Sequence, residues 1–332
     1  MGCSRRCLQA IGSWLLLLSA ATAQSTDTPA FPSDPAQWIN AAPLSLEALR
    51  GKGAFLWFFE EDCPRCRGKW PEMQATAKKF EGQPVVFIAV NSGNNRAAVQ
   101  TYVREVGLTW PVIVDPDRSF EKQHGVDNIS LQNIYQARYI TADGKARNGS
   151  WSEIEGTINQ ALTGARWKVD PKQIPPALRD AWLAIEFNNY AGAGMTVKKS
   201  LSASKYDVKE GANALLSVVQ KEIDADAASF QQAVDAQQAW KACEIADQMA
   251  VTYRGFDLPL ELVKSRKQLS ADPQVKAAQV ALKGLEAARR QLASNNDAAR
   301  KNGTATLEKI GQDFPGTRLA EQAQNILQGG GK

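Results

Sequence analysis

The chain has 332 residues, 44% hydrophobic and 22% charged, a globular composition with room for about two domains. Its 39 basic and 35 acidic side chains leave a net charge of only +4, which excludes a polybasic nucleic-acid binder. One histidine, His124, excludes most zinc sites, bis-histidine haem and nearly all histidine-based catalysis. The reactive residues are then five cysteines: Cys3, Cys7, Cys63, Cys66 and Cys243.

Residues 1–23 read as a cleaved secretory signal peptide. Arg5 and Arg6 form the basic n-region, Ile11 to Leu18 the apolar core, and Ala21-Thr22-Ala23 the cleavage signal. Ser4-Arg5-Arg6-Cys7-Leu8 resembles part of a twin-arginine signal, but the run Leu15 to Leu18 fits the general secretory route. The apolar run is shorter than the roughly 20 residues that cross a bilayer. No membrane span is expected in the mature chain, which would be periplasmic or extracellular. Cleavage removes Cys3 and Cys7 and leaves three cysteines in an oxidising space.

Residues 24–43 are rich in Ser, Thr, Asp, Pro and Ala and read as a flexible lead-in. An α/β pattern follows over 44–165. The apolar run Phe55 to Phe59 predicts a buried strand, Pro64 to about Phe80 a helix, and Val85 to Val90 a second buried strand. Arg96 to Val106 reads as a helix, Pro111 to Val114 as a strand, and Ser119 to His124 as a short helix. Ala137 to Thr141 and Ala146 to Trp151 predict a hairpin around the turn Ala142 to Lys145. Glu153 to Leu162 completes the pattern as a helix. Residues 166–176, with Pro171, Pro175 and Pro176, read as a linker. Residues 177–328 carry apolar stripes at helical spacing: Leu178, Trp182 and Ile185; Leu216, Val219, Ile223, Phe230 and Val234; Val275, Ala278, Leu282, Leu285 and Leu292. They predict an all-α domain, either a helical bundle or a tetratricopeptide-like array, the latter on Phe314-Pro315-Gly316-Thr317 and the run after it. Residues 329–332 read as a disordered tail.

The strongest chemical signal is Cys63-Pro64-Arg65-Cys66, between a buried strand and a helix. The spacing puts both sulfurs on the first helical turn, close enough to pair. Pro64 suits the first helical position, where its missing N–H costs nothing. Free N–H groups and the helix dipole favour a thiolate at Cys63, and Arg65 and Arg67 act in the same sense. Glu60, Glu61 and Asp62 oppose them, so the net effect is open at this level. A zinc site would need two further ligands, and Cys243 and His124 each stand alone. A c-type haem needs His where Arg67 stands. A structural disulfide closing so short a loop stabilises little. His124 reads as a partly exposed helix-end residue and Cys243 as core filler. No cofactor or metal is expected.

Residues 44–165 resemble the exported thioredoxin-fold proteins of the TlpA/ResA (redoxin) type. The resemblance rests on Phe55 to Phe59 before Cys63-Pro64-Arg65-Cys66-Arg67, on Trp70-Pro71-Glu72-Met73, and on Val86 to Asn91. Gly107-Leu108-Thr109-Trp110-Pro111-Val112, Asp115-Pro116-Asp117, Gly125-Val126 and Ile140 to Gly144 extend it. It implies a thiol–disulfide oxidoreductase with Cys63 as nucleophile, Cys66 as resolving thiol, and Pro64, Arg65 and Arg67 tuning the thiolate. The implied partners are disulfide-bearing or dithiol proteins, a membrane electron donor, and a protein docked on the helical domain; nucleic acid is not among them. Two positions depart from the family. Asp62 replaces an aromatic before the first cysteine. The family's cis-proline facing the site falls at Ser130, counted from Gly125, or at Tyr135, counted back from Ile140. The second departure supports an alternative: a catalytically weak thioredoxin-fold scaffold or binding protein whose helical domain docks partners. A third reading, copper handling, rests on the two soft thiolates alone. A Sco-type copper protein would need C-x-x-x-C and a later His.

Overall fold

The computed structural model describes residues 28–127, 129 and 133–329. The leader reading of residues 1–23, the Ser130 alternative and residues 330–332 lie outside them.

Residues 28–165 build a thioredoxin-like domain around a six-stranded mixed sheet in the order β1-β4-β3-β2-β5-β6. The strands are β1 Trp38–Ile39, β2 Gly53–Phe59, β3 Val85–Ser92, β4 Val112–Asp115, β5 Gln136–Ile140 and β6 Ala146–Gly149. β2 lies inside the sheet, parallel to β3 and antiparallel to β5. All seven of its residues are buried, which explains its unbroken apolar sequence. Four helices complete the domain: α1 Pro64–Lys79, α2 Arg96–Glu105, α3 Ser119–Gln123 and α4 Ile154–Ala161. Odd-numbered β2 side chains face α1: Phe59 meets Trp70 edge-on at 5.1 Å and stacks on Tyr102 at 5.4 Å. Phe58 points to the other face and meets His124. Gly53 is required where α4 crosses β2, since a Cβ there would lie 2.5 Å from the Ala161 carbonyl oxygen.

Three sequence expectations are corrected. The described part of the lead-in is not flexible chain. Phe31, Trp38 and Ile39 are buried, and Trp38-Ile39 pairs antiparallel with β4 as an edge strand. Two residues are too few for a period to register, so composition misread them. The Pro-rich stretch 166–176 is not a loose linker. The Trp167 indole N–H donates to the Gly82 carbonyl at 2.8 Å, Val169 is buried, and its carbonyl accepts from Trp182 Nε1 at 3.0 Å. The last helix includes Gly329, which the sequence assigns to a tail.

The rest of the chain is all-α: α5 Arg179–Glu186, α6 Tyr190–Ser200, α7 Tyr206–Asp235, α8 Ala239–Thr252, α9 Leu260–Leu269, α10 Pro273–Leu292, α11 Asp297–Asp313 and α12 Arg318–Gly329. Helices α5–α9 enclose one apolar core; α10–α12 enclose a second with Trp240 and Cys243 of α8. Asp272 caps α10, accepting from Gln274 N at 2.7 Å, with Pro273 at the first helical position. The stripes face the cores except at Leu282, which is 40% exposed. Among the described residues no helix is long and apolar enough to cross a membrane.

A buried ion pair ties the halves together. Lys52 Nζ, just before β2, lies 3.1 Å from a carboxylate oxygen of Glu186 in α5, and both side chains are inaccessible to solvent. The ammonium also lies over the rings of Trp167 and Phe187. Glu186 further accepts the backbone N–H groups of Lys168 and Val169 at 3.0 and 2.9 Å. Both charges are thus satisfied, the condition for burying them.

Candidate active site

The dithiol sits where β2 hands over to α1. Cys63 is the N-cap of α1, with extended backbone, and its sulfur accepts the Cys66 N–H at 3.2 Å. Pro64 follows at the first helical position. A sulfur placed there lies in the field of free N–H groups, which stabilises negative charge. Both cysteines are free thiols in this structure. Cys63 retains 7% exposure and Cys66 none, so a partner sulfur reaches Cys63 first. Burial, then the hydrogen bond with Cys63, pushes the Cys66 thiol from 9.0 up to about 12. At neutral pH Cys66 is therefore a thiol and a proton donor, not a competing thiolate.

The flanking charges divide differently from the sequence expectation. Arg65 is exposed. Arg67 is held to one side by a 3.0 Å ion pair with Glu105, its guanidinium 4.6 Å over the Tyr102 ring. Of the acidic run, Glu60 is paired with Arg118, while Glu61 accepts from Asn91 Nδ2 at 2.9 Å and from Asn94. Asp62 alone stays exposed. Partners far along the chain thus engage Arg67, Glu60 and Glu61.

Trp70-Pro71-Glu72-Met73 buries Trp70 and Met73, and the Trp70 indole N–H donates to Tyr102 Oη at 2.9 Å. Asp115 is fully buried and accepts the N–H groups of Phe120 and Glu121 at 3.2 and 2.8 Å, capping α3. Trp70 and Met73 belong to the same buried cluster as the two cysteines.

The segment before β5 closes the site. The Ile134 carbonyl oxygen lies 4.0 Å from Cys66 Sγ, so the backbone just before β5 faces the dithiol. Tyr135 stands there, and among the described residues no peptide bond is cis. Its ring lies 6.1 Å from Trp57 and 5.0 Å from Trp151, with Lys69 Nζ 5.9 Å from its centroid. Trp151 was not singled out in the sequence, where it reads as the end of the last strand; β6 stops at Gly149 and leaves it in the β6–α4 loop. No local signal marks it, because the ring it packs on, Tyr135, lies 16 residues earlier, just before β5.

The reading of His124 is corrected. It caps the end of α3 but is buried, 4.5 Å from the Phe120 ring and 5.9 Å from Phe58. Burial, aided by the nearby Arg138 charge, lowers it from 6.5 to about 4. Cys243 is fully buried in the core shared by α8 and α10–α12, and burial raises its thiol. Among the described residues no group of three or more His, Cys, Asp or Glu side chains could hold a metal.

Residues 28–147 match the AhpC/TSA family. Among curated proteins, the chain is 34% identical over 95 residues to the thiol-disulfide oxidoreductase ResA of Bacillus subtilis, covering 29% of this chain and 51% of that protein. It is 32% identical over 128 residues to ResA of Geobacillus thermodenitrificans, covering 39% and 64%. The chain thus spans about half the length of the first curated relative it matches. Among solved structures, a thioredoxin-family thiol:disulfide interchange protein of Chlorobium tepidum matches at 22% identity and a TM-score of 0.35, covering 43% of this chain and 99% of that one.

Proposed function

We propose that this chain, whose residues 28–147 belong to the AhpC/TSA family of thioredoxin-fold proteins, is a thiol–disulfide oxidoreductase acting on protein disulfides. The observation that carries the reading is the asymmetry of the pair: Cys63 at the helix N-terminus with residual exposure, Cys66 buried and protonated behind it. Written in the reducing direction, the Cys63 thiolate attacks one sulfur of a partner disulfide. A Cys63–partner S–S bond forms, the partner's S–S bond breaks, and one partner thiolate leaves. Cys66 then loses its proton to the departing sulfur and attacks Cys63 Sγ. The Cys63–partner bond breaks, the Cys63–Cys66 disulfide forms and the second partner sulfur is released; two electrons have moved to the partner, one proton comes from Cys66, and the other comes from water, matching the proton Cys63 gave up on ionising. Run backwards, the same steps oxidise a dithiol. Holding Cys66 against Cys63 makes the resolving step unimolecular. Pro64 shapes the helix start, and Arg65 follows it, exposed on the first turn.

The sequence of residues 1–23 supports export, and the redox chemistry fits an oxidising compartment. Protein substrates with disulfides are the expected partners, together with a membrane electron donor and a partner on the helical half.

The test is the rate of reduction of a protein disulfide such as insulin. Cys63→Ser should abolish it, and Cys66→Ser should accumulate the mixed disulfide on Cys63. A second reading, a weakly active scaffold, is favoured by one observation, Tyr135 in place of a proline beside the dithiol. A wild-type rate no faster than that of free dithiothreitol would support it and sink the enzyme reading.

A further inference from the structure

Among the described residues, the large apolar side chains left exposed lie almost all in the helical half. Trp151, at 49% exposure, is the one in the thioredoxin-like domain, and it is linked to the dithiol through Tyr135 and Ile134. It packs on Tyr135, whose neighbour Ile134 presents its carbonyl oxygen to Cys66. Tyr135 in turn rests against the buried Trp57 and over the Lys69 ammonium. An aromatic ledge therefore runs from the core to the surface beside the reactive sulfurs.

The loop that carries Trp151 is braced. Ser150 N donates to Thr157 Oγ1 at 2.9 Å, Thr157 Oγ1 donates to the Ser150 carbonyl at 3.2 Å, and Glu153 N donates to Ser150 Oγ at 3.2 Å. Gly149 lets the strand end close on α4, since a Cβ there would lie 2.8 Å from Thr157 Cγ2. A half-exposed indole on a rigid loop is costly to leave in water and loses little entropy on being covered. Large aromatics so placed are the usual anchors of protein interfaces. The chain neighbours of Trp151, namely Ser150, Ser152 and Glu153, are polar and exposed, which suits a polypeptide segment better than a bilayer surface.

We propose that the Tyr135–Trp151 ledge selects partners whose reacting cysteine lies beside an aromatic or branched aliphatic side chain in an extended segment. The proposal rests on the oxidoreductase reading and names the substrate class of that same site. The cysteine reaches Cys63 while its neighbour covers Trp151; Tyr135 supplies the wall that a proline would leave lower.

The test uses two symmetric peptide disulfides, one with Phe and one with Ser next to each cysteine, reacted with the reduced full-length protein and followed by acid-quenched chromatography. Wild type should reduce the Phe peptide about tenfold faster, the ratio expected when one interface anchor is engaged. Trp151→Ala should bring the ratio to about twofold, and Trp151→Phe should retain most of it. Equal Cys63-dependent rates for the two peptides, or a ratio unchanged in Trp151→Ala, would overturn the proposal and leave the oxidoreductase reading standing. Absence of Cys63-dependent reaction with either peptide would remove that reading and the proposal with it. Dimerisation abolished by Trp151→Ala, without any peptide preference, would assign the ledge to a second copy of the chain and also overturn it.

Discussion

Single residues set the chemistry of the two thiols apart. Cys66, with its thiol pushed up to about 12, stays protonated across the physiological range, and Cys63 holds what access there is. Iodoacetamide at pH 8 should therefore label Cys63 at least about tenfold faster than Cys66, as read by peptide mass mapping. Comparable labelling would contradict the asymmetry. His124 makes a different prediction. Its folded value of about 4 lies below its ordinary 6.5, so between these the unfolded chain binds a proton that the native protein refuses. Stability is fully present above pH 6.5 and is lost as pH falls towards 4, by up to roughly 3 kcal/mol. Urea midpoints at pH 7 and pH 4.5 measure the drop. His124→Phe keeps the ring contacts with Phe58 and Phe120 and should shrink it, since Nε2 has no hydrogen-bond partner to lose.

At the level of elements, backbone approach decides which glycines are replaceable. Gly68→Ala falls on the exposed side of α1, where a Cβ meets nothing within 4 Å, and should stabilise by about 0.5–1 kcal/mol. Gly53→Ala drives a methyl into the Ala161 carbonyl and should cost roughly 1–3 kcal/mol, read from thermal or denaturant unfolding. The elements of the first half were largely legible because their signals are local. β2 is apolar throughout since both its faces are covered, and α1 starts at Cys63-Pro64 because that pair caps a helix. The apolar stripes of α5, α7 and α10 likewise announced their buried faces. The misses share a cause. β1 has two residues and is a strand only through its pairing with β4. The segment 166–176 is ordered by Gly82 and Trp182, and neither its prolines nor its polarity could reveal them.

Across the whole molecule, the buried Lys52–Glu186 pair joins the strand that leads to the dithiol to the first full helix of the other half. Glu186→Gln leaves the Lys52 ammonium buried without a counter-charge and should cost about 3–5 kcal/mol. Denaturant unfolding followed by tryptophan fluorescence measures it, and adding Lys52→Met should recover part of the loss. No change in the single variant would show that the pair is not what holds the halves in register. Sequence by itself determined the closeness of Cys63 and Cys66, their place on a helix start and the α/β-then-α order, since each is written in spacings of a few residues. Tertiary structure alone decided what surrounds the pair. Arg118, Asn91 and Asn94 absorb Glu60 and Glu61, the Ile134 carbonyl meets Cys66, and Tyr135 packs on Trp151. Those groups lie tens of residues from Cys63 along the chain. The order of strands β3, β2, β5 and β6, with the loops at their ends, brings them together, and no local pattern encodes that meeting.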